Sequence, residues 1–179
     1  MDFLDILRDK AFLGREFVTW LWFRSDQSGG MIELPGKRTV EVLFLDRMTL
    51  DLSDADTPQI VTLKGHHSEL REGLAALKEG KKIEEARISV RVGDNDFAMT
   101  LKATWFSFGS FRTPPILPAG DSDRDEEAEA TFLEKMALVE EGLAIIDDLF
   151  AHFMNIRLSA QWETEELKAL RTWIESAVR

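Results

Sequence analysis

The chain has 179 residues, 44% of them hydrophobic; this size and composition predict one compact domain, or one domain with a helical appendage, and exclude a disordered chain. It contains no cysteine, which excludes disulfides, thiolate metal sites and cysteine nucleophiles. The formal net charge is -11, and residues 121–179 hold 15 Asp and Glu against 6 Lys and Arg. Because acidic surfaces repel phosphate backbones, any contact with nucleic acid has to use the first two thirds of the chain.

The first predicted section is helical and covers residues 1–25. Asp2 is a candidate N-cap, and Gly14 is expected to separate two helical segments. The stretch FVTWLWF, residues 17–23, is apolar except for Thr19. Aromatic residues beside arginine can stack on nucleic-acid bases, but a stacking surface exposes its rings along one groove. A helix that is apolar on all sides is typical of a protein core, and we predict that role here.

The second section, residues 31–113, is predicted to be a sheet interrupted by one helix. Its first three strands are expected at residues 31–35, 38–52 and 58–65. A bend is expected near Asp46, within the longest of these strands. The stretch SELREGLAALKEG, residues 68–80, has the N-cap, the leucine stripe and the final glycine of a helix.

A hairpin is predicted where two alternating stretches flank a turn. Residues 86–92 and 97–105 alternate apolar and polar side chains, and the turn GDND at 93–96 separates them. The apolar side chains, which include Trp105, are expected on one face of the hairpin. The opposite face is polar and weakly basic.

The third section, residues 125–178, is helical and follows a proline-rich linker at 114–125. Apolar residues of its long helix are spaced alternately by four and three positions: Phe132, Met136, Val139, Leu143, Ile146, Phe150 and Phe153. A second stripe lies beside the first: Leu138, Ile145, Leu149 and Ile156. The combined face is wide, so we expect it to pack on several neighbours and to leave a stripe for a dimer contact. A last helix is expected at about 160–177.

These sections together predict a single α+β domain over residues 1–179. We expect a mixed or mainly antiparallel sheet of about five or six strands, with helices packed on one face and a long C-terminal amphipathic helix. Residues 1–11 do not have the pattern of a signal peptide, and no apolar run approaches the roughly 20 residues of a membrane span. We therefore expect a cytoplasmic protein that does not contact membranes.

The sequence shows no signature of catalysis or of cofactor binding. His66 and His67 are adjacent, and adjacent residues of a strand point to opposite faces, so a shared metal ion is not expected. His152 lies on an apolar stripe and is interpreted as packed or interfacial. The paired carboxylates of the long helix lie on its charged face and are interpreted as solvated. We therefore predict a non-enzymatic protein with no catalytic residue, no metal and no cofactor.

One candidate binding surface remains, and it is basic. It consists of Lys78, Lys81, Lys82, Arg87, Arg91 and Lys102. A sheet face that carries Arg, Lys and hydroxyl side chains can lie along a DNA phosphate backbone. The same residues also describe an ordinary solvated sheet face, because Glu79, Glu84 and Glu85 interrupt the cluster.

Three stretches resemble, in the same order, the C-terminal half of the recombination-associated protein RdgC family. They are REFVTWLWFRS, the segment from IVTLKG through SELREGLAALKEGKKIEEARISV to FAMTLKATWFSFGSFRTP, and FLEKMALVEEGLAIIDDLFAHFMNIRLS. The resemblance covers about residues 12–160. Its most specific parts are Thr19 with Trp20, and the helix that ends in Gly80 and Lys81 before an alternating strand.

The resemblance implies a non-enzymatic α+β protein that dimerises into a ring, binds duplex DNA with little sequence preference and restrains a RecA-type recombinase. Lys81 matches the family's Gly-Lys position, whereas the other five basic residues rest on the surface argument alone. The family's N-terminal half, which ring closure needs, has no counterpart in this sequence. We therefore expect a homodimer or a missing N-terminal partner chain; otherwise the sequence is one domain of a longer protein. A DNA-binding chain would be nucleoid-associated. The alternative is a dimerising protein-interaction module that has lost DNA binding.

Overall fold

The computed structural model of the protein describes residues 3–52, 60–64, 70–116 and 124–176. Within these ranges the helices and strands follow in this order: α1 (Phe3–Gln27), β1 (Met31–Leu34), β2 (Arg38–Asp51), β3 (Val61–Lys64), α2 (Leu70–Lys78), β4 (Lys82–Val92), β5 (Asn95–Lys102), β6 (Ser107–Arg112), α3 (Arg124–Arg157), a π-helical turn (Trp162–Glu166) and α4 (Leu167–Glu175). The α+β class and the long C-terminal helix are confirmed. The predicted N-cap Asp2, the first residues of the predicted third strand and second helix, and most of the predicted linker lie outside the described residues.

The sheet is antiparallel in every strand pair that the described residues form. The strand order is β1-β2-β4-β5-β6. Strand β3 pairs with the second half of β2, and β1 pairs with the first half of β2. The bend predicted near Asp46 is present as a register shift: Phe44 pairs with Ile88, and the next paired residue of β2, Met48, faces Ala86. Such a bulge bends the strand, which lets the long β2 pair with β1 at one end and with β3 at the other.

The two faces of the sheet have opposite character, because side chains alternate along each strand. On one face, Val42 lies opposite Val90 and Val90 lies opposite Phe97, and all three are buried. The helices pack on this face, which we call the helix face. The other face, called the open face, carries these side chains: Glu41, Leu43, Arg47, Thr49, Glu85, Arg87, Ser89, Arg91, Asp96, Ala98, Thr100 and Lys102. The predicted alternation of the β4–β5 hairpin is therefore confirmed.

Helix α1 is the core helix that its all-round apolar pattern predicts. Its second half is buried at every apolar position: Phe17, Val18, Trp20, Leu21, Trp22 and Phe23. One side of the helix contacts β1, β2 and β4, and another contacts α3 and α4. The Phe17 ring meets the Phe150 ring edge-on, with 5.3 Å between centroids. The aromatic stretch therefore fills the core and does not form an exposed stacking surface.

The prediction that Gly14 divides the first helix is wrong, because α1 is continuous from Phe3 to Gln27. Gly14 is buried, and a Cβ atom there would overlap the carbonyl oxygen of Ala103. Glycine thus lets α1 approach the turn after β5. The placement of Trp105 on the apolar face is also wrong. The chain turns at residues 103–106, and this turn leaves the indole 72% exposed.

The π-helical turn and α4 together form residues 162–175, which we call the C-terminal segment. One buried carboxylate joins this segment to α1. Glu166 ends the π-helical turn and is 4% exposed. It accepts a hydrogen bond from Trp20 Nε1 at 2.7 Å, and its other oxygen accepts one from Arg24 Nη2 at 2.7 Å. Nearby, the Arg157 guanidinium stacks over the Trp162 ring at 5.0 Å. These contacts fix the rotation of the C-terminal segment against α1.

We expect Glu166→Ala to destabilise the protein by about 2–3 kcal/mol, because it leaves the buried Trp20 N–H without an acceptor and Arg24 without its carboxylate. Glu165→Ala is the matched control, since the neighbouring Glu165 is exposed. The control is expected to change the free energy of unfolding by no more than about 0.5 kcal/mol. Urea unfolding followed by tryptophan fluorescence measures both values. Equal effects of the two substitutions would contradict this role of Glu166.

Candidate functional site

The structure divides the six predicted DNA-binding residues into two groups. Lys78, Lys81 and Lys82 lie around the C-terminal end of α2 and the start of β4. The other group lies on the open face and consists of Arg87, Arg91 and Lys102. The six residues therefore do not form one continuous basic surface.

The open-face arginines are held by carboxylates of the same face. Arg87 lies 3.6 Å from Asp46, the residue at the bend of β2. Arg91 contacts Glu41 at 3.0 Å on one side and Asp96 at 3.5 Å on the other. Cross-strand pairs of this kind order the side chains and bring the local charge towards zero. The open face is therefore a charge-balanced surface, which weakens its attraction for a phosphate backbone.

Two hydroxyl residues of the open face are packed rather than available. Ser89 and Thr100 are both buried, and the Ser89 hydroxyl donates to Asp96 at 2.5 Å. Asp96 thus binds both Ser89 and Arg91. Lys102 is exposed and lies opposite Glu85. Contact between this face and duplex DNA stays a prediction.

Lys81 occupies a different environment, on the helix side of the sheet. Helix α2 ends in a Schellman motif, in which the Lys81 N–H donates to the Ala76 carbonyl and the Gly80 N–H donates to the Leu77 carbonyl. Gly80 has φ +92°, which glycine adopts without strain. The motif fixes the backbone at Lys81, and only 9% of the residue is exposed. Its ammonium contacts Glu79 at 2.5 Å.

Lys81 lines a groove of about 220 Å3 between α1, α2 and the C-terminal segment. We call it the α2–α4 groove. Arg15 and Glu16 contribute its polar edge, and Leu77 and Leu170 belong to its apolar wall. Arg15 is paired with Glu84 at 2.5 Å, and Glu16 is paired with Arg157 at 2.8 Å. Sequence patterns did not identify this groove, because its residues come from four elements far apart in the chain.

Three large exposed apolar side chains lie close together in sequence on the first half of α3. Residues 128–137, which we call the projecting segment, are exposed at every position. They include Phe132 at 61%, Leu133 at 58% and Met136 at 46% exposure. Close packing on the sheet begins near Gly142, where a Cβ atom would lie 2.6 Å from the Phe111 ring. The predicted stripe is therefore buried only in its second half.

His152 packs against α1, as its place on an apolar stripe predicts. Its ring lies 5.8 Å from the Trp20 ring. Burial, and after it the positive charge of Arg24, lower the pKa of His152 below the usual 6.5, while Glu166 acts in the opposite direction. The imidazole is neutral in the folded protein at neutral pH. It is a partly buried group that packs on the aromatic core.

Other polar residues of α3 make surface contacts. Asp148 pairs with Arg38 at 3.0 Å, and Glu141 accepts a hydrogen bond from Asn95 at 2.9 Å. Within residues 3–52, 60–64, 70–116 and 124–176, no group of three His, Cys, Asp or Glu side chains could hold a metal ion. His66 and His67 lie outside the described residues. No helix in the described part of the chain is long and apolar enough to span a membrane.

Comparisons with known proteins found no relative: no protein-family model, no curated protein and no solved structure matches the chain. The resemblance to the RdgC family therefore rests on the quoted motifs and stays a prediction.

Replacement of His152 by Gln is expected to reduce the pH dependence of stability. Because the folded pKa is lowered, the unfolded chain takes up the proton first as the pH falls through about 6.5. The free energy of unfolding of the parent should therefore fall as the pH drops through that value and towards the folded pKa. The His152→Gln variant should lose less stability over the same interval, as measured by urea unfolding at each pH. Identical slopes for both proteins would refute the assignment.

Proposed function

We propose that this chain is a non-enzymatic, dimerising protein-interaction module. Two copies are joined through the projecting segment of α3. The observation that carries the proposal is the joint exposure of Phe132, Leu133 and Met136 on a stretch where every residue is exposed. Large apolar side chains that lie together outside a core mark an interaction site.

The occupant that fits this segment is a second copy of the same segment. An amphipathic helix with apolar residues at a 4-3 spacing buries them against a helix with the same pattern. Phe132 and Met136 belong to such a stripe, and its continuation at Ile146 and Phe153 is fully buried in the chain's own core. The segment spans about 15 Å, which provides about three turns of contact for each copy.

The burial of the second half of the α3 stripe determines whether two paired copies of α3 run parallel or antiparallel. If the two helices ran parallel in the same register, the two folded bodies would lie at the same end of the pair and would collide. The second half of α3 has no room for a partner there, because Ile146 is already buried in its own chain. An antiparallel arrangement avoids this overlap, since the two folded bodies then lie at opposite ends of the paired segments. In this arrangement Phe132 of one copy lies beside Met136 of the other.

The charges around the stripe predict how salt affects pairing. Glu129 and Glu134 lie on the projecting segment, Glu140 follows it, and Lys135 is its basic residue. Two such segments repel each other electrostatically, and salt screens repulsion between exposed charges. Added salt should therefore strengthen the dimer, whereas it weakens binding to DNA.

Sedimentation equilibrium tests the proposal. The parent should form a dimer, and the double variant Phe132→Gln, Met136→Gln should dimerise at least about tenfold more weakly, because apolar burial of two large side chains is lost. Leu158→Gln is the matched control, since Leu158 is 78% exposed but lies beyond the other end of α3. The control should dimerise as the parent does.

A parent that stays monomeric at high protein concentration and high salt would overturn the proposal. So would a double variant that dimerises as strongly as the parent.

Association with duplex DNA in the manner of the RdgC family is the second candidate function. The observation in its favour is that Arg87, Arg91 and Lys102 share one face of the sheet with Arg47. A dimer would present two such faces. Restraint of a RecA-type recombinase belongs to the same candidate function, and it rests on the family resemblance.

Duplex affinity should depend on the carboxylates that hold Arg91. In the double variant Glu41→Gln, Asp96→Asn we expect several-fold tighter duplex binding at low salt, because Arg91 can then contact a phosphate. The logarithmic salt slope should steepen by about one unit. The control variant Glu163→Gln, Glu165→Gln changes the net charge equally but on the exposed C-terminal segment.

Fluorescence anisotropy of a labelled duplex across a salt series measures both quantities. Equal gains in the two double variants would show that net charge, and not the open face, governs binding.

A further inference from the structure

We propose that the α2–α4 groove binds a small organic carboxylate. Lys81 binds the carboxylate group, and the apolar wall of the groove binds an aliphatic body. The groove lies on α1, α2, the start of β4 and the C-terminal segment, so the proposal does not depend on dimerisation through α3.

The position of Lys81 is the first argument. The residue is nine-tenths buried, and taking an ammonium group out of water is costly unless it is paired. Its partner is Glu79, two residues away, whose side chain is 67% exposed. Glu79 can therefore return to solvent at small cost, whereas the Schellman motif fixes the backbone at Lys81 and the Lys81 side chain is itself only 9% exposed. A carboxylate that enters the groove can take the place of the Glu79 carboxylate.

The wall of the groove is the second argument. Beside Lys81 lie Leu77, Leu170, Ile174 and Trp162, which together provide an apolar surface for a hydrocarbon chain. A carboxylate bound against this surface is shielded from water, and this shielding strengthens its charge-assisted hydrogen bonds to the ammonium. An apolar wall with a few convergent polar groups, here Lys81 among them, is the usual composition of a small-molecule pocket.

Charge and size define the class of ligand. Arg15 and Glu16 are each paired with a side chain of opposite charge, so these charges cancel. The lysines that line the groove, Lys81 and Lys82, favour a negatively charged ligand. A single carboxylate is enough to replace the Glu79 carboxylate at Lys81. The volume of about 220 Å3 is smaller than the roughly 300–1,000 Å3 of pockets for drug-sized ligands. A medium-chain alkyl carboxylate meets both conditions.

Calorimetric titration of the full chain with octanoate tests the site, with 1-octanol as the uncharged comparison. Octanoate should bind more tightly than 1-octanol. Lys81→Met should weaken octanoate binding by about tenfold or more, because one charge-assisted pair is lost. Lys168→Met is the matched control, since it removes an equal charge from an exposed lysine of α4 that does not line the groove. It should leave the affinity within about twofold of the parent, the effect expected of a screened surface charge.

A second variant keeps the test decisive if Lys81→Met does not fold. Glu79→Gln changes an exposed side chain and removes the carboxylate that competes for Lys81, so octanoate should bind several-fold more tightly. An unchanged affinity in Glu79→Gln would overturn the proposal. The same holds if octanoate does not bind at millimolar concentration, or if octanoate and 1-octanol bind equally.

Discussion

The burial of α1 is the constraint on which the rest of this structure depends. Its second half is apolar on all sides, so one sheet face cannot cover it. The sheet covers one side, and α3, the π-helical turn and α4 cover the others. The Trp20 indole, deep in this core, needs a hydrogen-bond acceptor, and Glu166 supplies it from the C-terminal segment. The same carboxylate binds Arg24, so one buried group fixes how the last helices pack on the first.

This arrangement explains why α3 has two halves with different surroundings. Its second half packs over α1, where Phe150 and Phe153 meet Phe17. Gly142 allows the close approach at the end of the sheet. Upstream of that point the chain offers no further surface to cover the stripe, in the part that the structure describes. The helix continues with the same apolar spacing and leaves Phe132 and Met136 in solvent. In the dimer that we propose, a second copy covers this exposed part of the stripe.

Much of this fold could be predicted from the sequence because its signals are local. All-round apolarity identified α1 as a core helix, and strict alternation identified the β4–β5 hairpin and its two faces. Gly14 was misread because its role is a close approach to Ala103, a contact distant in sequence. Arg87 and Arg91 were recognised as open-face residues, but their pairing with Asp46 and Glu41 depends on strand register. The α2–α4 groove could not be predicted, since Lys81 and Leu170 meet only after folding.

Disulfide trapping between two single-cysteine variants tests the central claim, the antiparallel pairing of projecting segments, most directly. The natural chain has no cysteine, so Phe132→Cys and Met136→Cys each introduce the only thiol of the protein. The account predicts that mild oxidation of a mixture gives a covalent dimer joining position 132 to position 136. Each variant oxidised alone should give far less. The account would be contradicted if no covalent dimer formed in the mixture, or if Met136→Cys alone were trapped as efficiently as the mixture.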